Sequence, residues 1–520
     1  MSADLRDFSR LVRSEWVKLR SVRGWRIGLV AVVVTTVLLA WAGAAGSHSG
    51  YCAGSSPSTT RCYTGHPPVP TGPDGEAVAD EFFFVHRSLP GNGTITAEIT
   101  SLSGVTAVNG VVAASPGGSP PTRPLLAPWT KAGVILTAGT RPGAPYAAVT
   151  ATGAHGVRWQ YDYVHDQAGL PGSVSRRTPR WLRITRRGEV VTGYDSTDGV
   201  AWHVIGSTRL PGLTSRADVG LFATSPLSFV LRQSGTTTLA TARFDHVATT
   251  GTVSGAWRST AVGSNTFYPA YSSGRARQTA QSAEGASFTV SGSGDIGPDP
   301  GGGPLGGNSQ QQQVIPLLVG VLVLIVLAAG FVTSEYRRGL IRTTLAASPR
   351  RGRVLAAKAV VIGLASFVVS LAAALIALPL ANHVLTANGN YVMPIGTGTE
   401  ARILLGTAGL VAVMAVGVVG LGTLFRRSAA AVSLGVVLLV LPTILGTVLQ
   451  GAAGAWLFRL TPAAGFAVQQ AIPAYAQVSY PYDALNGFYP LAPWAGFAVL
   501  CLWSALALGL GALALERRDG

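Results

Sequence analysis

Four aspartates, Asp162, Asp166, Asp195 and Asp198, have the types and spacing that come nearest to catalysis in this 520-residue chain. Glycoside hydrolysis uses two carboxylates, one to protonate the leaving oxygen and one to attack or to activate water. Asp195 and Asp198 lie in Tyr194-Asp-Ser-Thr-Asp-Gly-Val-Ala-Trp202 and read more economically as turn residues of a hairpin. Trp159, Tyr161, Trp181 and Trp202 carry ring faces of the kind that stack on sugars, so they are the candidate carbohydrate contacts. Aromatic residues at strand spacing more often fill a core, and that competing reading is the simpler one.

Other chemistry is missing from the sequence. It has no Gly-x-x-x-x-Gly-Lys-Ser/Thr; the glycine-rich Gly292-Ser-Gly-Asp-Ile-Gly297 lacks the lysine that would hold a phosphate. Nucleotide hydrolysis would have to come from another chain. No His-Glu-x-x-His and no Gly-x-Ser-x-Gly occurs. The expectation is therefore no catalytic residue, no metal site and no cofactor on this chain. Of the three cysteines, Cys52 and Cys62 can pair as a disulfide, and no second Cys or His pair follows them to make a zinc site. Cys501 sits in an apolar run and reads as a small packed residue.

The elements that must carry these residues are mostly membrane helices. Charged residues are only 12% of the chain. Uncharged apolar stretches of about 20 residues, the length of a bilayer core, occur at 27–46, 314–334, 359–382, 403–424, 429–450 and 494–515. The first could also serve as a cleavable signal peptide, but its apolar run and basic lead are long for one, which favours an uncleaved helix. The net charge of +16 is unevenly placed. Segments 1–26, 335–358, 425–428 and 516–520 carry 18 Lys and Arg against 6 Asp and Glu. Positive residues on alternate loops orient a membrane protein, so both termini are expected in the cytoplasm and 47–313 outside it. A nucleic-acid partner is not needed to explain the charge.

Leu5, Phe8, Val12, Trp16 and Leu19 recur at helical steps opposite arginines, which predicts an amphipathic helix over 1–25 lying at the membrane surface. In 47–313 the pattern changes to short alternating runs, including Thr94–Thr100, Gly133–Thr137, Tyr146–Thr152, Trp181–Thr185 and Val219–Ala223. Turn signals separate them, which predicts a β-sandwich over about 75–250, with Ser287–Pro298 as a closing strand. Residues 293–313 read as a flexible Gly-, Pro-, Ser- and Gln-rich tether. In 314–520, small residues such as Gly406, Gly417, Gly420, Gly509 and Gly511 predict close helix packing. Trp456–Ile472 is apolar but interrupted by Arg459 and Pro462, which suits a short surface helix or a re-entrant turn. The fold class expected is a six-helix membrane bundle with an inserted all-β sandwich.

Two stretches resemble a known family. Ser14-Glu-Trp-Val-Lys-Leu-Arg-Ser21 leads into the first span, and Thr333-Ser-Glu-Tyr-Arg-Arg-Gly-Leu-Ile-Arg-Thr-Thr-Leu345 follows the second, then Pro349-Arg-Arg and Lys358. They are similar to membrane subunits of bacterial ATP-binding-cassette exporters of the type-2 permease class, over 1–46 and 314–520. The resemblance implies an elbow helix, six spans, a dimer with an identical or different permease subunit, and a separate ATPase. It also implies a coupling helix at 335–353 that docks on that ATPase, with Glu335, Tyr336, Arg338, Gly339, Arg342, Arg350 and Arg351 as its coupling residues. On charge alone these arginines would serve topology or anionic lipid.

Within 47–313, Trp181-Leu-Arg-Ile-Thr-Arg-Arg-Gly188 and Val219-Gly-Leu-Phe-Ala-Thr-Ser225 resemble laminin-G-like or concanavalin-like modules. That resemblance implies a jelly-roll-like sandwich with envelope carbohydrate as a partner to test. The main expectation is a permease in a bacterial cell membrane that exports an amphipathic or lipid-like substrate. The alternatives are a membrane-anchored carbohydrate-recognition or sensor protein without transport, and a tethered glycosidase.

Overall fold

A computed structural model describes residues 3–53, 61–107, 122–213, 217–229, 235–263, 274–282, 285–302, 306–337, 339–340, 343, 350–449 and 452–518. The chain divides into two compact units. The first comprises Met1–Ser49, Asn308–Ala474 and Tyr482–Gly520, and the second Gly50–Gly307 with Tyr475–Pro481.

The first unit is helical. Helix α1 (Ala3–Ser21) ends where Val22 adopts an extended backbone, and α2 (Arg23–Gly46) follows. A four-residue helical turn α3 (Gln310–Gln313) precedes α4 (Leu317–Arg337), α5 (Arg351–Ala387), α6 (Thr397–Phe425), α7 (Ser428–Val448), the short α8 (Ala452–Leu460) and α9 (Pro493–Arg518). Among the described residues six helices, α2, α4, α5, α6, α7 and α9, are long and apolar enough to cross a membrane.

Helix α6 packs against α4, α5, α7 and α9. Its contact with α9 is backbone-close: a Cβ at Gly420 would lie 2.5 Å from the Ala507 carbonyl, and one at Gly511 would meet the Gly420 carbonyl at 2.7 Å. Gly509, of the same type and on the same helix, has nothing near it. Packing among apolar helices in lipid depends on such close approach, because burial of apolar surface gains little there.

One expectation is corrected in this unit. Residues 308–313 are not a loose tether: Ser309 and Gln312 form a reciprocal capping box, and Gln310, Gln311 and Gln313 are buried. Reading composition alone passed over the Ser-x-x-Gln capping signal. On α1, Leu19 of the apolar stripe is buried, Trp16 is 46% exposed, and Glu15 is buried as well. The apolar segment before the last span takes both forms considered for it. Helix α8 leaves Trp456 and Leu460 exposed; after Thr461 the chain turns into a 3₁₀ helix, Pro462–Gln469, buried at every residue.

The second unit is all β. A disulfide joins Cys52 to Cys62 across the hairpin of β1 (Gly50–Ala53) and β2 (Arg61–Thr64). The strands that follow are β3 (Val78–Asp80), β4 (Phe82–Ser88), β5 (Gly93–Ala107), β6 (Thr122–Pro124), β7 (Lys131–Thr137), β8 (Tyr146–Thr152), β9 (Val157–Tyr161) and β10 (His165–Ala168). Then come β11 (Arg180–Arg187), β12 (Val190–Ser196), β13 (His203–Arg209), β14 (Asp218–Thr224), β15 (Thr238–Gly251), β16 (Ser254–Val262), β17 (Arg275–Ser282), β18 (Gly285–Gly292) and β19 (Ile296–Pro298).

They form a seven-stranded sheet in the order β10-β9-β8-β7-β14-β4-β16 and a larger sheet in the order β13-β12-β11-β5-β15-β18-β17, with β6 on β5. All these pairings are antiparallel, and the inner faces meet around Trp159, Leu182, Ile184, Leu221, Phe244 and Phe288. Strands β7 and β8 are buried at every position. Their outer face carries a second apolar cluster, with Phe84, Ile135, Tyr146, Phe222 and Ile296. Beyond 250 the two large sheets also take in β16, β17 and β18. The expected closing strand is two strands, β18 in the large sheet and β19 paired with β3. Strands β16 and β17 are polar sheet edges with Arg258, Arg275 and Arg277. Polar, charged edges resist unwanted strand pairing, and they lack the apolar alternation that marks a strand in sequence.

Candidate functional site

The expected coupling segment begins inside a buried charge cluster. Lys358, one turn into the apolar part of α5, places Nζ 2.8 Å from Glu15 Oε2 and 2.7 Å from Glu335 Oε1. Lys18 Nζ closes the ring, 2.6 Å from Glu15 Oε1 and 3.0 Å from Glu335 Oε1. Glu15 and Lys358 side chains are each 3% exposed, Glu335 9% and Lys18 41%. Two carboxylates and two ammonium groups balance, which is what makes burial of each tolerable. Burial alone would lower the Lys18 pKa; its hydrogen bonds to Glu15 and Glu335 outweigh this and hold it above the ordinary value.

Helices α1, α4 and α5 are thereby joined at one point. Glu335 is turned inward and buried. Tyr336 is half-buried, with the Arg426 guanidinium 5.3 Å from its ring centre. Arg426 closes α6 in a left-handed conformation, φ 56°. Arg351 Nη1 donates to the carbonyls of Leu515 (3.0 Å) and Glu516 (3.2 Å), which are near the end of α9 and have no later turn of helix to satisfy them. Gly339 has a positive φ of 70° and no atom within 4 Å of where a Cβ would stand. Its use here is to turn the chain out of α4 rather than to allow close approach. Arg350 is exposed. Arg338 and Arg342 lie outside the described residues. Sequence reading singled out Glu335 but gave Glu15 and Lys18 no role; their i, i+3 spacing beside a span was the available signal.

Residues 263–520 match the family model described as ABC-2 family transporter protein. The C-terminal part of the chain is an ABC-2 family transporter membrane domain. With its six apolar helices, the chain is a multi-pass membrane protein. No curated protein matches it. Similar solved structures include a functionally unknown protein from Saccharomyces cerevisiae, 14% identical, with TM-score 0.20 and coverage of 35% of this chain and 82% of that one. Another is the GH43 protein BlXynB from Bacillus licheniformis, 13% identical, with TM-score 0.18 and coverage of 29% of this chain and 26% of that one. At these scores neither likeness defines a shared fold.

In the ABC-2 membrane domain, Glu335, Tyr336, Gly339, Arg350 and Arg351 thus fall in one segment, with Glu335, Tyr336 and Arg351 each tied to a different helix end. The sugar-contact candidates lie in the other unit and fall in two pairs, Trp159 with Tyr161 at 6.1 Å between ring centres and Trp181 with Trp202 on either side of Gly199. Trp159 is fully buried, its ring against Gly193 and Gly206, so it fills the core and offers no stacking face. Tyr161 stacks on His165 at 4.3 Å. Trp202 lies 3.7 Å beneath the Arg183 guanidinium, and Gly199 backs onto Trp181.

The four aspartates are committed to structure. Asp195 lies in strand β12 rather than in the expected turn, because its carboxylate is buried and accepts from the Leu170 amide at 2.6 Å. Asp166 pairs with Arg158. Asp162 accepts from the Tyr146 amide at 3.3 Å, and burial pushes its pKa up to about 6. Asp198 accepts from the Val200 and Ala201 amides, which hold it below the usual carboxylate range. This is a turn, as the Asp-Gly pair suggested.

Proposed function

We propose that the chain is the permease subunit of an ATP-binding-cassette exporter that moves an amphipathic or lipid-like substrate. ATP is hydrolysed on a separate subunit docked at 335–353, and a second permease subunit, identical or different, completes the membrane pathway. The chain itself performs no catalysis. Both termini and 335–353 lie in the cytoplasm of a bacterial cell, and 47–313 lies outside it, in line with the placement of basic residues.

The observation that carries this reading is the family match over 263–520, which spans the coupling segment. The bracing of that segment supports it physically: a docking loop transmits motion only if it is rigidly joined to the helices it must move. Affinity purification of the full chain from its native membranes should bring down a nucleotide-binding subunit, with ATPase activity after reconstitution. Recovery of the chain alone, without ATPase activity, would sink the proposal and return the sandwich to a recognition or sensor role.

A further inference from the structure

The second unit contains a cavity of about 650 Å³, within the range of small-molecule sites. Every residue that lines it belongs to that unit. Tyr51 and Tyr63 of the β1–β2 hairpin form part of the wall, their rings stacked at 5.2 Å. Tyr480 forms another part and meets Phe229 edge-on at 6.2 Å. Prolines make up much of the remainder, so the wall is stiff as well as apolar.

The charge on this wall has one sign. Asp80, Glu81, Asp295 and Asp299 line the cavity, and among the described residues lining it there is no Lys, Arg or His. Lys131 is fully buried behind the wall and donates to Asp295 Oδ1 at 2.7 Å and to the Ile296 carbonyl at 2.5 Å. Asp80 is also buried, held by the Tyr163 hydroxyl and the Gly143 amide, both at 2.9 Å. Burial pushes its pKa up to about 7, as expected of a carboxyl group without a cation beside it.

We propose that this cavity binds an organic cation with an apolar body, of the quaternary ammonium or arylphosphonium kind. Tyrosine faces attract such cations through the ring quadrupole, and the carboxylates neutralise the charge without a strongly hydrated contact. An anion of the same shape meets only repulsion. The assignment stands apart from the transport reading, since it uses only the second unit. Val478, Ser479 and Tyr480 nevertheless belong to the segment between the 3₁₀ helix and α9. An occupant would therefore touch chain covalently continuous with two elements of the membrane domain.

The test uses the full chain in lipid nanodiscs, with radiolabelled tetraphenylphosphonium and tetraphenylborate as cation and anion of equal shape, each corrected against empty nanodiscs. Saturable cation binding, at least about tenfold stronger than any anion binding, is expected from a site with this charge. Glu81→Gln and Tyr480→Ala should each weaken cation binding by up to about tenfold, the range of one desolvated cation–aromatic or ionic contact. Equal binding of the two probes, no saturable cation binding, or undiminished binding in both variants would overturn the assignment. The comparison of probes is made on the unaltered protein and does not depend on any variant folding.

Discussion

Lys358 Nζ lies 2.8 Å from Glu15 Oε2, although 343 residues separate them, and the same nitrogen lies 2.7 Å from Glu335 Oε1. One side chain therefore fixes the first helix of the chain against the helix that enters the coupling segment. Each partner is buried, so none can be removed without leaving a charge uncompensated.

Lys358→Met should lower the thermal unfolding midpoint of the purified protein, with a loss of about 3–5 kcal/mol expected for breaking a buried pair. Adding Glu335→Gln to that variant should recover most of the loss, because Glu15 and Lys18 then remain as a balanced pair. Failure of the double variant to recover would assign the effect to packing rather than charge.

Gly420 and Gly509 are glycines in spanning helices with opposite surroundings. Gly420→Ala forces a methyl group to within 2.5 Å of the α9 backbone and should cost about 1–3 kcal/mol. Gly509→Ala meets open space and should leave stability unchanged within about 0.5 kcal/mol. Chemical denaturation in detergent, scored on both variants, would detect an error in the α6–α9 contact.

Arg338→Glu combined with Arg342→Glu should weaken ATPase association by tenfold or more, since like charges in a docking surface cost several kcal/mol. Insertion should survive, because Arg337, Arg350, Arg351 and Arg353 still hold the loop inside. Reporter fusions at residues 270 and 345 should report opposite compartments in both proteins. Normal pull-down and coupled activity in a correctly inserted double variant would leave these arginines as topology signals only.

Asp80 predicts a pH dependence of the sandwich. Its carboxyl has an ordinary value of 3.8 and about 7 in the fold. The folded state therefore holds the proton more tightly, and stability should rise as pH falls from 7 towards 4. Above 7 the folded state bears the full cost of a buried carboxylate. The groups facing it, Tyr163, Tyr146 and the Gly143 amide, do not change charge over that range. Unfolding followed by the β-sheet dichroism of the full chain should show this slope, and Asp80→Asn should reduce it, leaving the part due to Asp162, whose pKa is raised to about 6. An unchanged slope in Asp80→Asn would place the titration elsewhere.

Sequence alone determined the class of the spans and of the apolar strands. Six spans were legible because crossing a bilayer is a property of a stretch of about 20 residues and needs no partner. Strands such as β7, β8, β11 and β14 were legible because alternation and turn residues are local. The polar edges β16 and β17 were not, since pairing with β4 and β18 makes them strands, and that pairing is not written in their own pattern. Nor could alternation reveal that β7 and β8 are covered on both faces, which depends on β3 and β19 closing over them.

The candidate site divides the same way. Sequence placed Glu335, Tyr336 and Arg351 in one loop-bearing segment, but only tertiary structure decided which way they face. Periodicity on α1 put Trp16 and Leu19 on one apolar face, and only tertiary structure showed that Glu15 is buried. Helical spacing sets which residues share a face, not which face is buried. The Glu15 carboxylate is buried where a cation meets it, and that cation, Lys358, arrives from a helix 343 residues further along the chain.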